Sequence, residues 1–237
     1  MKKYTKRFVI GDIHGNYRGL LQCIERSGFN SATDQLIVLG DVVDGYPDTK
    51  ECIDYLITIP NLILIIRNHC QWYIDWMKTG AQPSIWVKQG GQATLRSVFH
   101  TFNQSHLDFF NKGHYVYVDN NYVYTHGGLN LDVPLDEQND FDLMWDRNMM
   151  EYAYNCEHTK SCKIPKKLQF TEKIFIGHTT TEGYGSDLPL KLCNVWALDT
   201  GCGWDTGKLT IMNVDTEQYW QSDKSSELYL PNQGRGY

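Results

Sequence analysis

Three apolar, β-branched runs in this chain each stop abruptly at a short block rich in Asp, His, Asn or Gly. Phe8-Val9-Ile10 enters Gly11-Asp12-Ile13-His14-Gly15, Gln35-Leu36-Ile37-Val38-Leu39 enters Gly40-Asp41-Val42-Val43-Asp44-Gly45, and Leu62-Ile63-Leu64-Ile65-Ile66 enters Asn68-His69. Runs of this length and composition read as buried strands. Helical spacing follows the first two blocks, over Tyr17 to Ser27 with Gly28 as a stop, and again from Asp48-Thr49 through Cys52, Ile53 and Leu56. Repeated strand–helix units imply neighbouring, largely parallel strands with the polar blocks gathered at their carboxyl ends.

The middle of the chain changes character. From Trp72 to about Phe110, aromatic and apolar residues recur at helical spacing, broken by Pro83 and Gly90-Gly91, which predicts a small helical cap over about 72–112. Tyr115-Val116-Tyr117-Val118 and Tyr122-Val123-Tyr124 then flank Asp119-Asn120-Asn121, a hairpin signal whose second strand leads to His126-Gly127-Gly128. Asp140 to about Tyr154 reads as helix, and Cys156 to Phe170 as a polar loop. Lys173-Ile174-Phe175-Ile176 is a strand entering Gly177-His178-Thr179, with further strands expected at Val195 to Leu198, Lys208 to Met212 and Tyr219-Trp220.

At 237 residues and 41% hydrophobic content, the chain can bury a substantial core, most simply as one domain over 1–221 with a polar tail, mobile or surface-draped, over 222–237. A net charge of -6 argues against gripping nucleic acid through a basic surface, but not against a phosphorylated substrate whose charge is met by metal ions. Seven cysteines without framework spacing suggest reduced thiols and a cytoplasmic location, and neither a signal-peptide core nor a membrane-spanning run is present in the sequence.

Residue type points to metal chemistry. Asp12 and His14 are one residue apart, so at an extended strand end both face the same side and can hold one ion. Asp41 can bridge to a second ion, completed by Asn68, His126 and His178. This mixed oxygen and nitrogen set suits Mn, Fe or Zn better than Ca or Mg. Two such ions about 3.5–4 Å apart clamp a phosphate and lower the pKa of a bridging water to roughly 7, so that a hydroxide attacks phosphorus in line. His69 is placed to protonate the leaving oxygen, and Asp44 to hold its tautomer.

Taken in order from Asp12 to His178, the five blocks resemble the GDxHG, GDxVDRG, GNHE, HGG and GHT pattern of the calcineurin-like metallophosphoesterase superfamily, in particular its phosphoprotein phosphatase branch with the bacterial and phage serine/threonine phosphatases. The resemblance implies a four-layer α/β/β/α sandwich and two metal ions, with Mn²⁺ the first choice and Fe or Zn as alternatives. It gives Asp12, His14 and Asp41 to the first metal, Asp41, Asn68, His126 and His178 to the second, and His69 with Asp44 to acid catalysis. The implied substrate is a phosphorylated protein or a small phosphoester. A dinucleoside polyphosphate hydrolase and a degenerate, non-catalytic metal-binding partner protein are the alternatives.

The departures from that pattern fall close to the chemistry. Gly45 stands where the family has a phosphate-binding arginine, Arg67 replaces the glycine before Asn68, and Cys70 replaces the acidic residue after His69. Arg147, in Trp145-Asp146-Arg147, resembles a second phosphate-binding arginine of the family, and Arg67 is the candidate to compensate for the missing one.

Plainer readings compete at single positions. An isolated Asp before a helix is usually a cap, and Trp72, Trp76 and Trp86 suit packing better than base stacking. Cys156, His158 and Cys162 lack a clear fourth zinc ligand and read as part of a loop.

Overall fold

Strand side chains point alternately to opposite faces, and in this protein the two faces meet different partners. The computed structural model describes residues 4–98, 103–159, 164–231 and 233–235. Its first sheet contains β1 (Arg7–Ile10), β2 (Gln35–Val38), β3 (Leu62–Leu64), β9 (Thr210–Asn213) and β10 (Tyr219–Gln221), in the order β10-β9-β1-β2-β3. The second contains β4 (Val116–Asp119), β5 (Tyr122–Thr125), β6 (Lys173–Ile176), β7 (Leu190–Leu192) and β8 (Val195–Ala197), in the order β4-β5-β6-β8-β7. The strands that feed the polar blocks are parallel to one another: β1 with β2, β2 with β3, and β5 with β6. The outer pairs are antiparallel.

Val9, Ile37 and Met212 from the first sheet pack with Tyr124, Phe175 and Trp196 from the second, forming a largely apolar layer between the sheets. Tyr124 and Phe175 stack with centroids 5.0 Å apart, a contact worth about 0.5–1.5 kcal/mol beyond its buried area. Arg7 ties the sheets at one edge, pairing with Asp119 at 2.8 Å and with Asp215.

The alternate residues face outward onto helices. Phe8, Ile10, Leu36, Val38 and Ile211 join the core formed by α1 (Tyr17–Ser27), α2 (Thr49–Ile57) and α3 (Asn68–Thr79). On the opposite side, Val123, Ile174, Ile176, Val195 and Ala197 pack against α7 (Asp140–Trp145) and α8 (Asn148–His158). The architecture is therefore the expected α/β/β/α sandwich.

The expected helical region is present as α3, α4 (Ser84–Trp86), a π-helical turn at Val87–Gly91, α5 (Gln92–Val98) and α6 (Gln104–Phe110). It shares a core with the first sheet: Trp86, Leu95 and Phe110 lie in the same cluster as Phe8 and Ile10. His106 is structural, with Nε2 2.7 Å from Asp54.

Two local expectations change. The helix expected from Asp140 to Tyr154 breaks at Asp146, whose ψ of 129° is extended and whose carboxylate caps α8 by accepting from the Met149 N–H at 3.0 Å. The helix then continues into the expected loop, ending at His158.

Over the described residues the segment after β10 folds back on the domain. It forms α9 (Ser225–Leu228), buries Ser225 and Tyr229, and stacks Tyr229 on Tyr46 at 4.5 Å. The six described cysteines are free thiols. Cys162 and His100 lie outside the described residues, and no described helix is long and apolar enough to cross a membrane.

Candidate metal centre

The polar blocks converge where the two sheets meet. Asp12 and His14 follow β1, Asp41 follows β2, and Asn68 opens α3 just beyond β3. His126 follows β5 and His178 follows β6. Two triplets result, Asp12/His14/Asp41 and Asp41/His126/His178, and within each the potential ligand atoms all lie within 4.8 Å of one another. Asp41 belongs to both, which is the geometry of a bridging carboxylate.

The donor atoms fit a metal pair on their own evidence. Asp12 Oδ1, Asp41 Oδ1, Asn68 Oδ1, His126 Nε2 and His178 Nε2 are all buried without a hydrogen-bond partner. The Asp12, Asp41, His126 and His178 atoms belong to the two triplets and Asn68 lines the same cleft as His178, and such atoms would be costly if nothing bound them. His126 Nε2 lies 3.2 Å from Asp41 Oδ2 without hydrogen-bonding geometry, as expected for two atoms directed at a common centre rather than at each other.

Backbone and neighbours aim these groups. His14, Asp41, Asp44 and His178 all have positive φ, at 50°, 39°, 69° and 62°, and such conformations in non-glycine residues gather where function requires them. Gly177 lets the second sheet approach: a Cβ there would fall 2.1 Å from Asp12 Oδ1. His14 Nδ1 donates to the Asp44 carbonyl at 2.7 Å and His126 Nδ1 to the Leu39 carbonyl at 2.8 Å. Both rings thus present an unprotonated Nε2, the tautomer a metal ligand needs.

Burial, reinforced by Arg235, pushes the His14 pKa down to about 3. Burial together with His126 and Arg147 pushes His178 down to about 2. Asp12 is raised by burial and by the nearby Asp199 and Asp41 carboxylates. Burial acts the same way on Asp41, but His126, His69 and His14 outweigh it and hold that carboxyl below its ordinary range.

Beside these candidate metal ligands stands the expected His69–Asp44 pair. His69 Nδ1 lies 2.6 Å from Asp44 Oδ2, while its Nε2 is buried, unpartnered and 4.0 Å from Asp41. Asp44 is fully enclosed: Trp86 Nε1 donates to Oδ2 at 2.7 Å and Thr94 Oγ1 donates to Oδ1 at 2.7 Å. The helical region therefore positions the pair rather than only covering it.

A cleft of about 560 Å³ opens over the centre, lined by Asn68 and His178 and by three cations, Lys88, Arg147 and Arg235. Arg147 sits at the bend between α7 and α8 and lines the cleft wall. Arg67 does not line this cleft. It is fully buried, its guanidinium lies 4.8 Å over the Tyr115 ring, and none of its side-chain nitrogens has a hydrogen-bond partner. The backbone at Arg67 is extended as it enters α3, and the side chain is directed onto Tyr115. Cys70 is likewise a core residue, its thiol pushed up to about 12 by burial.

Sequence reading did not single out for the site Trp86 and Thr94, which hydrogen-bond Asp44, or Asp199 and Arg235, whose charges act on Asp12 and His14. Trp86 was visible only as a packing aromatic, and a single Thr in a helix gives no signal at all. Asp199 opens an Asp-Thr-Gly-Cys-Gly-Trp run after β8, whereas Arg235 lies in the segment expected to be a polar tail.

A two-sheet sandwich with a shared-carboxylate centre at its strand ends defines a dinuclear metallohydrolase class. The family model of the calcineurin-like phosphoesterases matches residues 5–214, and the chain belongs to that family. A symmetrical bis(5'-nucleosyl)-tetraphosphatase of Nitrosomonas europaea is 25% identical over 123 residues, covering 52% of this chain and 44% of that protein. Serine/threonine-protein phosphatase 1 of Salmonella typhimurium is 29% identical over 90 residues, covering 38% of this chain and 41% of that protein. The chain thus spans less than half the length of either relative in these matches. A solved Saccharomyces cerevisiae protein serine/threonine phosphatase shares the fold with a TM-score of 0.61 at 14% identity, covering 100% of this chain and 84% of its own.

Proposed function

We propose that this protein is a dinuclear metal-dependent phosphoesterase that hydrolyses phosphomonoesters, with phosphoserine or phosphothreonine in proteins as the substrate class. The observation that carries this reading is the convergence of five buried, unpartnered donor atoms beside a His–Asp pair whose free imidazole nitrogen faces the same centre. Asp12, His14 and Asp41 would hold one ion, and Asp41, Asn68, His126 and His178 the other, with Mn²⁺ the best match and Fe or Zn as alternatives. Bound there, the ions supply Lewis acidity and a water readily ionised at neutral pH.

The chain's own residues do the rest. Arg147 at the cleft wall orients the phosphate through charge-assisted hydrogen bonds. His69, fixed through Nδ1 by Asp44, carries a proton on Nε2 to the departing alkoxide. Burial of the pair keeps bulk water from competing for that proton.

A second reading, hydrolysis of a dinucleoside polyphosphate, is favoured by one feature. The cleft combines Lys88, Arg147 and Arg235 with Trp145, Tyr184 and Trp204, a mixture suited to several phosphates and a base. The test is release of phosphate from an aryl phosphate with and without Mn²⁺, followed by a phosphopeptide set against diadenosine tetraphosphate. No metal-dependent release from any of them would overturn the enzyme reading in favour of a binding protein.

A further inference from the structure

Arg235 lies outside every block that marks the centre, yet its side chain reaches the centre through a slot walled by glycines. A Cβ built on Gly90 would lie 3.2 Å from Arg235 Cγ and 2.8 Å from the Gly45 backbone nitrogen. One built on Gly203 would lie 3.1 Å from Arg235 Cδ and 2.9 Å from His14 Cδ2. The arginine stem therefore passes beside Gly45, the position at which the family pattern carries a phosphate-binding arginine and this chain has no side chain.

The group is held in place by its surroundings. The Arg235 N–H donates to the Gly203 carbonyl at 2.8 Å, Nη2 donates to Gln89 Oε1 at 3.3 Å, and the guanidinium lies 5.5 Å over Trp204. Nη1 is 3.3 Å from His14 Nε2. The preceding segment is anchored too: Tyr229 donates to Asp48 at 2.7 Å, and Ser225 donates to the Cys202 carbonyl at 2.8 Å. No carboxylate lies within ion-pair distance of the guanidinium among the described residues, although Asp12 and Asp199 are near enough to feel its charge. A fixed, half-buried planar cation with donors left over at the edge of a cleft is suited to a tetrahedral oxyanion.

We propose that Arg235 is the phosphate clamp of this site, replacing from the segment after β10 the arginine absent at Gly45 and gripping the substrate phosphate together with Arg147. This rests on the phosphoesterase reading but is testable apart from it. The probe is inorganic phosphate, titrated calorimetrically into Mn²⁺-loaded wild-type protein and the variants Arg235→Gln and Arg235→Lys, with metal content and thermal midpoint measured in parallel.

Arg235→Gln, which keeps most of the stem, should weaken phosphate binding by about ten- to a hundred-fold. Arg235→Lys should recover part of the loss, and both variants should retain wild-type metal content and midpoint. Unchanged phosphate affinity in Arg235→Gln, or no phosphate binding by the wild type, overturns the proposal. So does a rise in metal affinity without a loss of phosphate affinity, because Arg235 would then be a cation standing in for metal at His14. Arginine-dependent phosphate binding in a protein that hydrolyses no phosphoester would leave the clamp intact and remove the enzymatic reading. Turnover with Arg235-independent phosphate binding would do the reverse.

Discussion

His69 and Asp44 are joined by a 2.6 Å hydrogen bond to a carboxylate oxygen that also accepts from the Trp86 indole at 2.7 Å. The orientation of the His69 ring thus depends on helices that pack over the sheet edge. His69→Ala should lose about 10²–10⁴ in turnover while retaining metal by elemental analysis. Full activity would remove His69 from the mechanism.

Asp44→Asn leaves one carbonyl oxygen where His69, Trp86 and Thr94 now donate to two carboxylate oxygens. A buried donor is then stranded, at a cost of about 1–3 kcal/mol, readable as a lowered urea midpoint. Turnover should fall alongside it. Trp86→Phe keeps an aromatic side chain but loses the N–H and part of the ring volume, so a smaller fall in turnover with an altered pH–rate profile is expected, whereas a purely packing role would leave that profile unmoved.

Asp41 contributes to both metal triplets, so Asp41→Asn should lower the bound metal measured per chain. Mn²⁺ at a hundred times its dissociation constant stabilises a one-site protein by about 2.7 kcal/mol. The thermal midpoint of the wild type should therefore rise with added Mn²⁺ and fall on chelation. In Asp41→Asn that response should shrink.

His14 and His178 are held neutral in the folded metal-free protein, with pKa values pushed down to about 3 and about 2. The unfolded chain binds their protons below about pH 6.5, so between that value and about pH 3 unfolding takes up protons and stability falls as the solution is acidified. Metal-free His178→Asn should show a shallower decline over that window than the wild type. Equal slopes in denaturant titrations would contradict the assignment.

Arg67 is a buried cation without a hydrogen-bonding partner, and burial lowers its pKa to about 10. Removing such a charge relieves desolvation at the expense of the contact with Tyr115. Arg67→Met should leave stability unchanged or raise it by up to about 2 kcal/mol, with no effect on phosphate affinity. A clear loss of phosphate binding would restore Arg67 to the site.

Much of this was legible in the linear chain because strand composition and ligand type are local properties. The run Arg7 to Ile10, the helix Tyr17 to Ser27 with its Gly28 stop, and the hairpin around Asn120 need only neighbours to specify them. Strand β7 was missed because Leu190-Lys191-Leu192 is too short to show a period and is fixed by pairing with Val195 to Ala197. The helix break at Asp146 was hidden because Asp and Arg are compatible with helix, and the carboxylate's capping of Met149 is a choice made in three dimensions. Arg67 and Arg235 were hardest: one charged residue turned inward to Tyr115 and the other reached the cleft from more than two hundred residues past the first block. Direction of a long side chain is set by what surrounds it, and sequence distance says nothing of that.

The sharing of ligands between sheets has a mechanical consequence. Asp12, His14, Asp41 and Asn68 arrive from the first sheet and its connections, whereas His126 and His178 arrive from the second. Neither half of the sandwich carries the whole Asp41/His126/His178 triplet, so an ion bound there would act as a rivet through the two layers. Separating the sheets would then require breaking coordination bonds as well as exposing the layer around Phe175, whereas without ions the sandwich is fastened by side-chain packing, by edge ion pairs such as Arg7–Asp119 and Lys173–Glu217, and by the hydrogen bonds from His126 to Leu39 and from the His178 N–H to Asp12.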